Sequence, residues 1–199
     1  MKNIVFIPIL FAATTLFAQQ TFSDSITLCR NKLTQHAMVT LGSFAVANIG
    51  IGFIAANNTT GEQRYFWQMN AYWNFFNLGI AGLGYIGTLK NLNRKYSFAD
   101  NYKAQKSIEK LYMVNFGFDI VYITGGFLLR AKGNNETTAY LKDEYKGYGT
   151  SIAAQGGFLL VMDGVMVMLH HKNTLKLRNK MKNVAISAGP GAMAVSYTF

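Results

Sequence analysis

The sequence predicts an all-α membrane protein: four transmembrane helices in an antiparallel bundle behind an N-terminal signal peptide, with a short extended or β-like C-terminal tail. Three observations carry this. Half of the 199 residues are hydrophobic and only 14% are charged, whereas about a quarter of a soluble domain is charged. Four apolar runs, at about 37–56, 65–89, 111–130 and 150–169, reach the roughly 20 residues that a spanning helix needs. Polar residues inside these runs fall at helical spacing, with Asn70, Asn74 and Asn77 at i, i+4, i+7 and Asn115, Asp119 and Tyr122 likewise.

The chain opens with Lys2, an apolar run from Ile4 to Phe17, and Ala18 ahead of Gln19 and Gln20. This is the pattern of a secretory signal peptide over 1–18, cut after Ala18. The transmembrane domain is expected over 19–182 and the tail over 183–199. Cys29 is the single cysteine, so no intramolecular disulfide is available in an oxidising compartment. The residues before it, Ile26, Thr27 and Leu28, lack the small residue of a lipoprotein cleavage site. Thr21 to Gln35 reads as a polar lead able to form a short amphipathic helix.

The first span, AMVTLGSFAVANIGIGFIAA, holds no charge and ends at the loop signal Asn57-Asn58-Thr59-Thr60-Gly61. Asn48 interrupts it, and Gly42, Gly50 and Gly52 suit close helix contact. The second span is the most unusual stretch of the chain. Its asparagine row continues through Ala81 and Gly84, and Tyr65, Phe66, Trp67 and Tyr85 lie towards its ends, as interfacial anchors do. A basic segment, Lys90 to Lys110, leads into the third span, and its half from Asn101 suits the start of that helix. The fourth span carries Gln155 and Asp163 and is set off by a mixed-charge polar loop at 131–149.

Continuous runs of this length do not alternate in the roughly ten-residue pattern of membrane barrel strands. The tail does alternate. Val195, Tyr197 and Phe199 follow the turn signal Gly189-Pro190-Gly191, a pattern that resembles the C-terminal signature of outer-membrane barrels and keeps an outer-membrane protein as an alternative.

Counting residues at about 1.5 Å each along antiparallel helices gives a depth to every polar group. Asn48, Asn77 and Asp119 fall near mid-span, Gln155 falls level with Asn70 and Asn74, and Asp163 falls level with Asn115. These eight residues form an expected polar seam facing protein, because amides and carboxyls do not face lipid by choice. Each interhelical hydrogen bond in it is worth about 0.6 to 2 kcal/mol. The seam supports a structural or partner-binding component. Intramembrane acids also mark ion and proton pathways, so a small transporter or proton-linked protein using Asp119 and Asp163 is the alternative.

No nucleophile and base pair is visible, so an enzyme is not expected. No cofactor is expected either. His36, His170 and His171 lie at the face of Asp163, but their spacing matches no metal motif, and no metal is expected. The glycines at 79, 82, 84 and 87 lie within an apolar span with no strand before them, which is not a nucleotide loop; close helix packing is their expected use. The net charge of +10 comes from basic residues that flank apolar runs. Membrane lipid is therefore the expected partner rather than nucleic acid, together with a membrane protein partner or a second copy of the chain.

The run GEQRYFWQMNAYWNFFNLGIAGLGY, with its core Arg64, Phe66, Met69, Asn70, Trp73, Asn74, Asn77, Ile80 and Ala81, resembles an uncharacterised family of small multi-span membrane proteins of Gram-negative envelopes. The resemblance implies a four-span helical protein of the bacterial envelope. It implies no activity, because none is established for the family. Orientation is contested within the chain. The face holding 21–36, 90–110 and 170–199 carries 13 Lys and Arg against five on the other, so the positive-inside rule places it in the cytoplasm. A secretory signal places the flank before the first span outside. The inner membrane is favoured over the outer.

Overall fold

A computed structural model describes residues 6–92, 94–182, 184–189 and 192–197, with side chains over 20–92 and 94–180. Four helices follow one another: α1 (Phe6–Asn57), α2 (Gly61–Asn91), α3 (Phe98–Asn134) and α4 (Ala139–Lys182). Two short strands, β1 (Val184–Gly189) and β2 (Ala192–Tyr197), pair antiparallel with Val184 opposite Tyr197 and Gly189 opposite Ala192. Residues 6–18, expected as most of a signal peptide, continue into α1 without interruption; residues 1–5 lie outside the described residues.

The helices are longer than the apolar runs that announced them. Thr21 to Gln35 is no separate lead but a middle part of α1. The loop expected at 131–149 shrinks to 135–138. Its charges make helix contacts instead: Lys132 Nζ lies 4.5 Å from the centre of the Tyr145 ring across the hairpin, and Lys146 reaches Glu62 of α2 at 3.2 Å. Helix ends are placed by caps and turns. Ser97 Oγ accepts from Asp100 N at 3.2 Å to open α3, and Gly61 takes φ +60°, a left-handed conformation that glycine adopts at no steric cost, to turn the chain from α1 into α2.

Among the described residues, three helices are long and apolar enough to cross a membrane: α1 over Gln20–Asn57, α3 and α4. This corrects the expectation of four by hydropathy. α2 falls short because its asparagines, glutamines and amphipathic aromatics dilute its apolar content. Its residues are nonetheless sorted. Asn70, Ala71, Asn74, Asn77, Ala81 and Thr88 are buried, whereas Phe76 and Leu83 are 75% and 76% exposed. A helix in water sorts the other way, apolar side inwards. Polar inside and large apolar outside is the arrangement for a helix whose outer face meets lipid.

α4 is the central helix, packed on α3, α2 and α1, while α1 and α2 form the other hairpin. α2 and α3 both pack on it, and no Cα of one lies within 8 Å of a Cα of the other. The α3–α4 hairpin is held close by glycines one heptad apart on each helix, Gly126 and Gly133 against Gly149 and Gly156. A Cβ built on Gly126 would lie 2.5 Å from Gly149 O, and one on Gly156 would lie 3.1 Å from Asp119 O. Of the glycines expected to pack, Gly42, Gly52 and Gly84 do, against Ala81, Ala71 and Met38, but Gly50, Gly79, Gly82 and Gly87 have nothing within 4 Å of an added Cβ. Those four positions sit on faces that no neighbouring helix covers.

Where the helices continue beyond the apolar runs, away from the short loops, α1, α3 and α4 form a polar extension. Asn101 Nδ2 donates to Ser23 O at 2.7 Å, Arg30 donates to Asn101 Oδ1, and Gln105 Nε2 donates to His170 O at 2.9 Å. Leu177 is fully buried there, and His170 stacks on Tyr112 with ring centres 5.2 Å apart.

Candidate functional site

The seam residues gather in two groups that meet at Asn77. The first is an amide chain across three helices. Gln155 on α4 donates through Nε2 to Asn70 Oδ1 on α2, and Asn70 Nδ2 donates to Asn48 Oδ1 on α1 at 2.8 Å. Asn48 Nδ2 ends the chain on its own helix, at Phe44 O, 2.8 Å. Along α2, Asn74 Nδ2 donates to Asn70 O at 2.7 Å and Asn77 Nδ2 to Asn74 Oδ1 at 3.2 Å.

This corrects the depth of Asn48. Counting from span midpoints puts it beside Asn77 and Asp119, but the turn joining α1 and α2 is only three residues, Asn58 to Thr60. Residues equidistant from a tight turn are level, and Asn48 and Asn70 are each 11 from Thr59. α2 begins at Gly61, one turn earlier than its apolar run suggests, and that shift moves every level on it.

The second group surrounds a cavity of about 390 Å³. Asp119 and Asn115 of α3, Asp163 of α4 and Asn77 of α2 supply its polar lining. Asp119 and Asp163 are 2% and 4% exposed, and they line the cavity together from the two facing helices. Asn48 and Asn77, the partners that mid-span depth predicts for Asp119, bond to other groups instead, and Asp119 shares its cavity with the other acid. The antiparallel hairpin explains why. Gly156 packs at the level of Asp119 and Gly164 at the level of Phe116, so Asp163 lies about one helical turn further from the short loop. Side chains tilt towards the N-terminus of their own helix, and in this hairpin the two tilts converge.

Two carboxylates buried beside the same cavity repel each other and are costly to ionise together, so the pair is expected to hold a proton. Asp119 Oδ2 has no hydrogen-bond donor among the described residues. No Lys, Arg or His lines the cavity, whose other walls are apolar or aromatic, including Trp73 and Phe76 of α2 and Phe118 and Tyr122 of α3. The Trp73 and Tyr122 rings meet edge to face at 4.9 Å and bridge the space between α2 and α3. The sequence places Tyr122 in one helical row with Asn115 and Asp119 and Trp73 in the motif core, but shows neither as the wall of a cavity. Their signal was position, since Trp73 is one turn from Asn77 and Tyr122 one turn from Asp119.

The histidines and the thiol lie elsewhere. His171 Nδ1 contacts Glu109 Oε1 at 2.7 Å, and Cys29 Sγ accepts from Asn173 Nδ2 at 3.4 Å. Among the described residues no three His, Cys, Asp or Glu side chains gather where they could hold a metal ion. Outside the spans, at the short-loop end, Glu62 is paired with Arg130 and Lys146. Burial opposes its ionisation, but the hydrogen bonds from Arg130 and Lys146 outweigh that and hold its carboxyl below the usual range.

A family model described as "Family of unknown function (DUF6992)" matches residues 40–164. That range takes in both seam groups, from Asn48 to Asp163, and leaves out His170, His171 and the strands. No curated protein and no solved structure matches the chain.

Proposed function

The chain belongs to this family of unknown function (DUF6992), a membership that brings no activity with it, and we propose that the protein is a small proton-linked binding or transport protein of the bacterial envelope. In this proposal α2 is a fourth span, its amide face on α1 and α4 and its apolar face in lipid. It runs beside α1 through the same depth, since Gly52 packs on Ala71, Gly42 on Ala81 and Met38 on Gly84. The working part is the Asp119–Asp163 pair. One observation carries this: a buried carboxyl pair, one oxygen of which lacks a donor, lines a cavity that holds no basic residue. Gln105, Ser151, Gln155 and His170 also hold an unpaired buried atom, but of these five residues Asp119 alone lines the cavity, where a proton or ligand can offset the cost.

Infrared difference spectroscopy of the protein in liposomes tests the proposal. A carboxylic C=O stretch that titrates with pH and disappears in Asp163→Asn is the expected result. If no such band titrates, the pair is not a proton site and the proposal fails.

The amide chain Gln155–Asn70–Asn48 favours a second function, a structural or partner-binding component. None of these three residues lines the cavity, so their bonds serve helix association alone. Under this function Asp119→Asn preserves both the fold and the cellular role; a folded variant that loses its role excludes it.

A further inference from the structure

The cavity suits a cation on every side. Asp119 and Asp163 offer carboxyl oxygens, Trp73, Phe118 and Tyr122 line it with aromatic rings, and Asn77 and Asn115 bring amide groups. Aromatic faces attract organic cations, most strongly where water is excluded. Asp119 Oδ2, on a residue 2% exposed, has no hydrogen-bond donor among the described residues. An acceptor left bare in an apolar interior is stabilised by any donor or cation that reaches it.

The way in is set by the packing. α2 and α3 leave a gap, since their Cα atoms stay more than 8 Å apart. The Trp73–Tyr122 contact spans that gap towards the short loops. Beyond it the gap is edged by Phe76 and Ile80 of α2 and Phe118 of α3, which are 75%, 56% and 53% exposed. In a bilayer these side chains meet acyl chains, so the mouth faces lipid. A ligand that arrives through lipid and ends against two acids is amphipathic and carries its charge on an organic group. At about 390 Å³ the cavity is at the small end of the roughly 300 to 1,000 Å³ usual for ligand sites.

Resting on the proton-linked function above, we propose that the cavity binds a small lipophilic organic cation, an aryl or alkyl ammonium, which enters from the bilayer between α2 and α3 and replaces the proton shared by Asp119 and Asp163. One cation enters and one proton leaves, so the charge at the pair is unchanged and no redox partner is needed. The other titratable groups facing the pair are Tyr112 and Tyr122 of α3, with His170 of α4 stacked behind Tyr112. α1 contributes Met38 and Leu41 and α2 contributes Trp73 and Asn77, none of them charged.

The test uses the full chain in lipid nanodiscs with two probes of the same shape, benzyltrimethylammonium and its neutral isostere neopentylbenzene. Isothermal titration calorimetry in buffers of different ionisation enthalpy reads affinity and protons released together. The expected result is at least tenfold preference for the cation, release of about one proton, and affinity rising with pH by up to about tenfold per unit while the pair still holds its proton. Asp119→Asn and Asp163→Asn should each remove that preference and leave neopentylbenzene binding as it was. Equal affinity for the two probes, or no binding of benzyltrimethylammonium, overturns the proposal, and this comparison on the unmodified chain decides even if a variant fails to fold. The infrared band separates the two levels. A titrating band without cation binding removes only the cation proposal, whereas no titrating band removes the proton-linked function and the cation proposal with it.

Discussion

Asp119 on α3 and Asp163 on α4 together form the acidic wall of a cavity between the helices, and Asp119 Oδ2 has no hydrogen-bond partner among the described residues. The pair arises from local geometry. The two residues sit about one turn apart in depth on antiparallel helices, and the tilt of each side chain towards its own N-terminus closes the difference. Glycines set the backbone separation, because Gly156 lets α4 approach the main chain of α3 beside Asp119.

Replacing one acid by its amide keeps a donor in the pair and removes the need for a shared proton. Asp163→Asn should therefore leave the thermal unfolding midpoint in detergent within about 1 kcal/mol of the unmodified protein. Asp163→Ala leaves Asp119 without its partner and should cost about 1 to 3 kcal/mol. If the alanine variant is as stable as the amide variant, the two carboxyls are not partners.

The α3–α4 contact allows a contrast between two glycines. Gly126→Ala places a Cβ 2.5 Å from Gly149 O and 2.6 Å from Ala153 N, both backbone atoms that cannot swing away. The hairpin must separate, at a cost of about 1 to 3 kcal/mol. Gly79→Ala has nothing within 4 Å and gains up to about 1 kcal/mol from helix propensity. Thermal unfolding of the two variants side by side checks the sign as well as the size.

Asn70 joins three helices, accepting from Gln155 and donating to Asn48. Asn70→Leu should cost more than Asn48→Ala, since it breaks two interhelical bonds at about 0.6 to 2 kcal/mol each. A smaller loss for Asn70→Leu than for Asn48→Ala would show that the amide chain is not what holds α2 to α4.

Glu62 gives a pH dependence outside the spans. Its folded pKa is depressed by Arg130 and Lys146, so its contribution is complete above the unfolded glutamate value of about 4.3 and is lost as pH falls through the lower folded value. The pair is partly exposed, with side-chain accessibilities of 36% and 32% for Arg130 and Glu62, so the effect is below about 1 kcal/mol. Glu62→Gln should flatten this part of the stability profile and leave the profile above pH 6 parallel to that of the unmodified protein.

The basic segment between α2 and α3 reports orientation. Single cysteines placed at Lys90 and Ser97, in a background with Cys29→Ser, should react with an impermeant maleimide added to intact spheroplasts if the signal at 1–18 directs insertion. They should be protected if the 13 basic residues of that face hold it in the cytoplasm.

Apolar length and the spacing of polar residues were enough to read helices, their antiparallel order and the fact that Asn70, Asn74 and Asn77 face inwards, because a 3.6-residue period places side chains whatever the neighbours are. Hydropathy also marked α1, α3 and α4, and it undervalued α2 for the same polar face that makes it useful. Partners were not legible. Midpoints of apolar runs gave Asn48 to Asp119, whereas the tight turn at Asn58 to Thr60 gives it to Asn70, and the glycine contacts of α3 and α4 give Asp119 to Asp163. The cavity could not be read at all. It exists because α2 and α3 both pack on α4 while their backbones stay apart, and the gap two helices leave when each packs on a third is a property of tertiary packing that no single stretch of sequence encodes.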